Sequence, residues 1–358
     1  MNLFGKELKK VDVLKKVGDI SQLGGISLYE LIDGIGRGVR AASIKTPCGI
    51  DMAVLIDRGL DISYMTYKSI PVCWRSATKD TSPAYYDSRG MEWLRTFFGG
   101  LLTTCGLRNA GMPSIDEGEE HGLHGRISNL GAELIHSGGR WENDDYIVEI
   151  AGRVREAKVF GDKLELERKI TAYFSKPKII IEDRVENLGF SRVPLMILYH
   201  VNIGYPVVDS NSELLESKAS VTPRDDEAKK GFDKFNTFSE PINNFKEQVY
   251  FHDIKADTDG NCNVAIINEE FNDKQGIGIW LKYNKENLPY LIQWKQMGEG
   301  EYVCGIEPAN CLVSGRAEER KKGNLRFIKP GEVISYRLEI NVLEGSGDIK
   351  SLKNLLQV

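Results

Sequence analysis

Residues 164–174 read LELERKITAYF, and this stretch indicates what kind of fold the chain has. Apolar side chains alternate with polar ones, as in a β-strand that buries one face and exposes the other to water. Arg168 is the one interruption of the buried row. The same period of two recurs at 277–283 and 333–342. Half-buried strands are typical of antiparallel sheets, because strands of parallel sheets are apolar on both faces.

Turn sequences separate the predicted strands. The segments 186–189, 258–261 and 329–332 carry the Gly, Asn and Pro residues that tight reversals require. Strands do not alternate regularly with amphipathic helices, which argues against a doubly wound α/β fold. We therefore predict a mainly β protein, built as one large antiparallel β-sandwich.

Three short segments have the apolar spacing of helices, close to 3.6 residues. Their apolar residues are Leu8, Val11, Leu14 and Val17; Met91, Leu94, Phe97 and Phe98; and Ile349, Leu352 and Leu355. We predict a helical N-terminal extension at 1–24, a single sandwich domain at 25–345 and a helical tail at 346–358. The polar segment 224–244 is the best candidate for a long surface excursion.

The composition excludes several classes of protein. The chain has 358 residues, with 47 Lys and Arg against 52 Asp and Glu, and its net charge of −5 offers no basic surface for nucleic acid or an anionic membrane. No window approaches 18 consecutive apolar residues, and residues 1–10 lack a signal-peptide stretch, so we predict no membrane span. The six cysteines are scattered without a C-x-x-C pair, which favours reduced thiols in the cytoplasm.

Two ionisable residues lie in apolar strand-like runs. His200 ends VPLMILYH at 193–200, and Glu307 lies within YVCGIEPAN at 302–310. Burial shifts the pKa of such groups, and a group that titrates near neutrality suits general acid or base catalysis. Each also has a structural interpretation, His200 as a hydrogen-bonded core histidine and Glu307 as an ion-pair partner. The candidate partners of Glu307 are Arg58, Arg108 and Arg126.

A glycine-rich motif, EEHGLHGR at 119–126, holds His121, His124 and Arg126. Its glycines let the backbone approach a ligand closely. The motif fits either a polar loop whose histidines bond to the backbone or a polar site in a sugar or metal pocket.

Two further arginines follow strand-like segments. Arg108 ends FFGGLLTTCGLR at 97–108, where it could fork onto two hydroxyls or pair with Glu307. Arg58 lies in IDRGLDI at 56–62, where we expect a structural pair with an aspartate.

Taken in order, these segments resemble the aldose 1-epimerase (galactose mutarotase-like) superfamily, and within it a less characterised bacterial branch with the DRGLD element of 57–61. A Gly-rich strand that ends in arginine precedes an LHG motif, a strand histidine followed by asparagine, and a late glutamate before proline. The resemblance spans about residues 25–345. It implies a large antiparallel β-supersandwich with an open sugar-binding cleft.

The resemblance also implies residue roles. Glu307 corresponds to the general base and His200 to the general acid, while Arg108 and His124 correspond to substrate-binding residues. His121 and Arg126, from the same motif as His124, complete the predicted set. The implied reaction interconverts the anomers of a hexose or hexose derivative by acid/base ring opening, with no cofactor and no metal because only protons move. The family's binding aspartate has no clear match here, so the sugar is not identified.

Two other functions use the same residues. A non-catalytic carbohydrate-binding protein on this sandwich could keep Arg108 and aromatic residues without needing His200 and Glu307. A metal-dependent sugar isomerase could use His121, His124, His200 and Glu307 as ligands. The aromatic residues considered for stacking on a sugar are Trp74, Trp294 and Tyr302. The sequence does not indicate the oligomeric state.

Overall fold

The three rows of alternating residues become strands of one antiparallel sheet in the structure, a computed structural model that describes residues 1–357. Lys163–Tyr173 pairs with Lys178–Asn187, which pairs with Val333–Glu344, which in turn pairs with Ile277–Asn284. The apolar side chains of each row are buried. The predicted mainly β, antiparallel fold is confirmed.

Three antiparallel sheets make up most of the chain. In spatial order, the eight-stranded sheet consists of Glu133–Glu142, Asp145–Ala157, Lys163–Tyr173, Lys178–Asn187, Val333–Glu344, Ile277–Asn284, Asn261–Asn268 and Ser212–Glu216. The six-stranded sheet consists of Ala219–Pro223, Gln248–Ile254, Tyr290–Gly298, Glu301–Ala309, Met196–Gly204 and Thr103–Leu107. The five-stranded sheet consists of Gly25–Glu30, Arg40–Lys45, Ile50–Leu55, Asp61–Tyr67 and Ile70–Pro71. One cluster of buried apolar residues draws on all three sheets.

Short elements complete the fold. Two-stranded pairs are Asn2–Leu3 with Lys6–Glu7, Ser114–Asp116 with Glu119–His121, and Val193–Pro194 with Phe327–Ile328. The α-helices are Lys10–Leu14, Asp226–Lys230, Phe271–Lys274, Arg316–Lys322 and Gly345–Leu356. The 3-10 helices are Ile20–Gln22, Gly34–Gly36, Pro83–Tyr85, Glu92–Thr96, Ile127–Asn129 and Phe232–Lys234. Within residues 1–357, none of the helices combines the length and apolar content needed to cross a membrane.

The N-terminus is less helical than the periodicity predicts, whereas the C-terminus forms the helix Gly345–Leu356. At the N-terminus only Lys10–Leu14 is α-helical, and a two-stranded hairpin precedes it because the chain reverses at Gly5, whose φ of +76° favours glycine. The C-terminal helix Gly345–Leu356 buries Leu356, while the predicted Leu355 is 57% exposed. The division of the chain after residues 24 and 345 stays a prediction.

Arg168 interrupts its apolar row because it forms a buried ion-pair network. Its Nη1 lies 2.7 Å from Oδ1 of Asp61, and its Nη2 lies 2.7 Å from Oδ2 of Asp183, with all three side chains fully buried. Asp61 belongs to the five-stranded sheet, whereas Arg168 and Asp183 belong to the eight-stranded sheet. The network therefore ties the two sheets together across the core.

The expected pair between Arg58 and an aspartate is wrong. Asp61 is held by Arg168, and Asp57 pairs with Arg40 at 2.6 Å. The guanidinium of Arg58 instead donates to the backbone oxygens of Ser128, Thr81 and Thr96. Through these hydrogen bonds, Arg58 holds the segments that contain Thr81, Thr96 and Ser128 close to the five-stranded sheet.

Candidate active site

The six-stranded sheet brings His200 and Glu307 into contact. His200 lies in Met196–Gly204 and Glu307 lies in the adjacent antiparallel strand. The register pairs Val201 with Ile306, which sets His200 directly opposite Glu307. Opposite residues of an antiparallel pair project their side chains on the same face. As a result, Nε2 of His200 lies 3.2 Å from Oε1 of Glu307.

Gly305 leaves the space that this pair occupies. A Cβ at position 305 would lie 2.6 Å from Oε1 of Glu307 and 3.1 Å from Cε1 of His200. Ordinary contacts of a Cβ begin near 3.4 Å. Any side chain at this position would therefore displace the carboxyl group or the imidazole.

His200 and Glu307 line a cavity of about 140 Å³. His124 lines the same cavity, with its ring centroid 5.8 Å from that of His200. Most of the remaining wall is apolar or aromatic. Its members include Trp93, Leu94, Phe97, Leu123, Trp294 and Val313. The segment with helical spacing at Met91, Leu94 and Phe97 forms the 3-10 helix Glu92–Thr96 and supplies part of this wall.

A tightly packed loop orients His124. The φ of His124 is +55°, and its Nδ1 accepts a hydrogen bond from the backbone N–H of Gly111 at 3.3 Å. A Cβ at Gly125 would lie 2.3 Å from the backbone oxygen of Gly106, so the loop fits only with glycine there. With Nδ1 accepting, the ring carries its proton on Nε2, which can donate to a ligand.

Burial shifts the pKa of all three groups towards their neutral forms. It raises the pKa of Glu307 well above its usual value and lowers the pKa of His200 well below its usual value. It also lowers the pKa of His124 to about 4. Both shifts favour the arrangement in which the transferable proton of the His200–Glu307 pair resides on the carboxyl group.

His200 and Glu307 are in contact but do not form a hydrogen bond with each other. Within residues 1–357, Oε1 of Glu307 is buried without a hydrogen-bond partner, because its 3.2 Å contact with Nε2 of His200 lacks the alignment of a hydrogen bond. Nδ1 of His200, the other ring nitrogen, is also buried without a partner. Buried polar atoms without partners are uncommon in folded proteins. An acid and a base that are adjacent, buried and unsatisfied can exchange protons with a ligand in the cavity.

Two further charged residues of the cavity are missed by the sequence interpretation. Nη2 of Arg224 donates to Oε1 of Glu247 at 2.9 Å, and Nε1 of Trp294 donates to Oε2 of Glu247 at 2.8 Å. Both charged residues line the cavity with Trp294. Arg224 begins the polar segment 224–244, whose composition predicts a solvated loop. Nothing in the neighbouring sequence therefore indicates that Arg224 lines a cavity.

Arg108, His121 and Arg126 line a second pocket of about 150 Å³. This pocket shares no lining residue with the cavity that contains His200 and Glu307. The residues 122–125 border both, because Gly122 and Gly125 face the second pocket while Leu123 and His124 face the first. The structure therefore brings His124 to His200 and Glu307, but not the other three predicted binding residues.

The alternative interpretation of Glu307, as the ion-pair partner of an arginine, is wrong. Nη2 of Arg108 lies 2.8 Å from Oε2 of Glu119, and Nη1 lies 2.6 Å from Oδ2 of Asp162. Arg126 is exposed at the second pocket, and Arg58 is bonded to carbonyls elsewhere. Within residues 1–357, His200 is the only basic side chain in contact with the carboxyl group of Glu307.

The second pocket also contains a carboxyl group that the sequence did not reveal. Oε2 of Glu156 accepts a hydrogen bond from the backbone N–H of Leu107 at 2.9 Å. Burial raises the pKa of Glu156 to about 7. The alternation of polar and apolar residues in its strand, Asp145–Ala157, does not indicate that Glu156 lies in a pocket.

The three aromatic candidates have different positions. Trp294 lines the first cavity, and Trp74 packs edge-on against it with ring centroids 6.2 Å apart. The hydroxyl of Tyr302 donates to the backbone oxygen of Ser239. Trp294 is therefore the one placed to contact a ligand beside His200.

The four residues considered as metal ligands do not converge. His121 lines the second pocket, whereas His124, His200 and Glu307 line the first. In the part of the chain that the structure describes, no group of three or more His, Cys, Asp or Glu side chains is arranged to hold a metal ion. This donor geometry does not fit a resident metal.

Solved structures share the fold at low sequence identity. A "putative aldose 1-epimerase" from Klebsiella pneumoniae has a TM-score of 0.88 and 23% identity, covering 96% of this chain and 89% of its own. A galactose mutarotase-like protein from Clostridium acetobutylicum has a TM-score of 0.61 and 14% identity, covering 90% and 99%. A galactose 1-epimerase from Lactobacillus acidophilus has a TM-score of 0.59 and 12% identity, covering 90% and 99%. The predicted galactose mutarotase-like fold is thereby confirmed.

Comparison of the sequence itself gives a family without an assigned activity. No curated protein matches the chain. A family model described as "Domain of unknown function (DUF4432)" matches residues 36–342. Because that match covers most of its length, the chain belongs to the DUF4432 family.

Proposed function

We propose that this protein is an acid/base isomerase that interconverts the anomers of a cyclic aldose. The observation that carries the proposal is the contact of 3.2 Å between His200 and Glu307 in a cavity. Opening a pyranose needs one proton removed from the anomeric hydroxyl and one delivered to the ring oxygen. Both oxygens are bonded to C1, so an adjacent acid and base can serve them together.

The position of the proton sets the starting roles. The protonated carboxyl of Glu307 donates to the ring oxygen as the bond from C1 to that oxygen breaks, and neutral His200 takes the proton of the anomeric hydroxyl as C1 becomes a carbonyl. After rotation about the C1–C2 bond, the imidazolium returns its proton to the carbonyl oxygen. The carboxylate then takes back the proton of the ring-closing hydroxyl. The sequence prediction names the same two residues with the roles exchanged.

Neighbouring residues position the sugar in this proposal. His124 donates from Nε2 to a hydroxyl, and Trp294 offers its ring to an apolar face of the pyranose. Arg108, His121 and Arg126 line the neighbouring pocket and not the cavity of His200 and Glu307. Their predicted roles in sugar binding stay predictions.

The partner we propose is a small-molecule sugar, and the location we propose is the cytoplasm. The six cysteines are unpaired within residues 1–357, which suits a reducing compartment. A cavity of about 140 Å³ is well below the roughly 300–1,000 Å³ of sites for drug-sized ligands. We therefore expect a ligand no larger than a single sugar ring.

Polarimetry on freshly dissolved pure anomers tests the proposal. The wild-type protein should shorten the relaxation to equilibrium for at least one aldose, and Glu307→Gln and His200→Asn should each abolish most of that effect. The exposed residues Glu301 and His136 provide matched controls, as Glu301→Gln and His136→Asn should leave it unchanged. Sugar binding without any acceleration would instead identify a non-catalytic carbohydrate-binding protein.

A further inference from the structure

The cavity that holds His200 and Glu307 offers few hydrogen-bonding groups for a sugar. Its other polar side chains are His124, Arg224 and Glu247. Glu247 already accepts from Arg224 through one oxygen and from Trp294 through the other. Nε of Arg224 also donates to Asp225. Among the cavity's side chains, the groups left for hydroxyls away from C1 are therefore Nε2 of His124, the remaining N–H groups of Arg224 and the free lone pairs of Glu247.

An ordinary aldohexose has hydroxyls around its whole ring, whereas these polar groups come from only three residues of the cavity. Its pyranose form carries four hydroxyls besides the anomeric one, and His200 and Glu307 are occupied with the anomeric hydroxyl and the ring oxygen in the proposed reaction. A hydroxyl pressed against an apolar wall loses its hydrogen bonds to water without replacement.

The wall and the rim of the cavity are apolar on several sides. Leu123 and Val313 are buried in the wall. Met91, Leu94 and Met112 line the same cavity while 45%, 48% and 49% exposed. Exposed apolar side chains gathered around one opening mark a surface that receives an apolar part of a ligand.

We propose that the substrate is a deoxygenated aldose, which places a methyl or methylene group against Leu94, Leu123 and Val313 where an ordinary aldose has a hydroxyl. This inference rests on the proposed function and names the substrate class of the same site. A site built from apolar groups discriminates against an added hydroxyl by about 10-fold to 100-fold in kcat/KM. The protein therefore prefers the deoxy sugar by about that factor.

Exchange NMR on matched sugar pairs tests the inference. Each pair consists of a deoxyaldose and its parent, a 6-deoxyaldohexose with the aldohexose and a 2-deoxyaldose with the aldose, with each catalysed rate divided by the spontaneous rate. We expect at least one deoxy sugar to exceed its parent by about 10-fold or more in kcat/KM. Equal or faster turnover of both parents overturns this inference and leaves the proposed function intact. No acceleration with any sugar overturns the proposed function itself.

Variants of the wall identify the source of the preference. Val313→Thr is nearly isosteric and supplies a hydroxyl, so it should reduce the ratio of deoxy to parent kcat/KM several-fold. Val333→Thr, on a strand that contributes nothing to the cavity, is the matched control and should leave the ratio unchanged. If thermal melting shows that Val313→Thr does not fold, Leu94→Gln at the exposed rim replaces it. An unchanged ratio in the folded wall variant overturns the inference.

Discussion

Replacing Gly305 by alanine tests whether the geometry of the His200–Glu307 pair matters for activity. The added Cβ would lie 2.6 Å from Oε1 of Glu307, and ordinary contacts begin near 3.4 Å. The carboxyl group must therefore move by about 0.8 Å, the difference between these two distances. Because a misplacement of about 1 Å can cost 10²-fold in rate, we expect kcat to fall about 100-fold. Overpacking at this site should cost about 1–3 kcal/mol of stability.

The assay is exchange NMR between the anomers of a sugar labelled at C1, with thermal unfolding measured on the same samples. Gly138→Ala is the matched control, because its added Cβ would meet its nearest neighbour, Cε1 of His136, at an ordinary 3.4 Å. That variant should keep both its rate and its stability. A folded Gly305→Ala protein with the wild-type kcat would refute the reasoning, since the pair would then tolerate displacement.

Two further predictions concern stability. Arg168→Met leaves Asp61 and Asp183 buried without their cation, so the free energy of unfolding in urea should fall by about 3–5 kcal/mol, whereas the exposed Arg153→Met should change it by less than about 0.5 kcal/mol. Burial lowers the pKa of His121 to about 4. The unfolded chain therefore binds more protons than the folded one between pH 6.5 and 4, and the free energy of unfolding falls as the pH is lowered through that window. His121→Gln should remove up to about 3 kcal/mol of that loss, and identical pH slopes for the two proteins would show that His121 is not buried in its neutral form.

Local patterns in the sequence predict much of the fold. The alternation at 164–174, 277–283 and 333–342 identifies strands because the period of side chains in a strand is two. The pattern also singles out Arg168 as anomalous. It cannot name the partners of Arg168, since Asp61 and Asp183 come from strands that only the long-range topology brings near.

The candidate site is predictable in its residue types but not in its arrangement. His200 and Glu307 stand out because ionisable groups are costly in apolar strands. Their contact depends on the register between two strands that are distant in the sequence. The position of Arg108 beside Glu119 and Asp162 depends on the direction in which one loop turns, and no spacing rule encodes that direction. Arg224 resembles any charged residue at the start of a polar loop.

The most direct test of acid/base catalysis by the pair is a double-mutant cycle on anomer exchange. The measurement is the exchange NMR rate for the best aldose with wild type, Glu307→Gln, His200→Asn and the double variant. Since each positioned proton transfer contributes about 10²–10⁴-fold, we predict that each single variant loses at least about 100-fold, and that the double variant loses little more because the two residues act as a unit. Wild-type rates in both folded single variants would contradict the account.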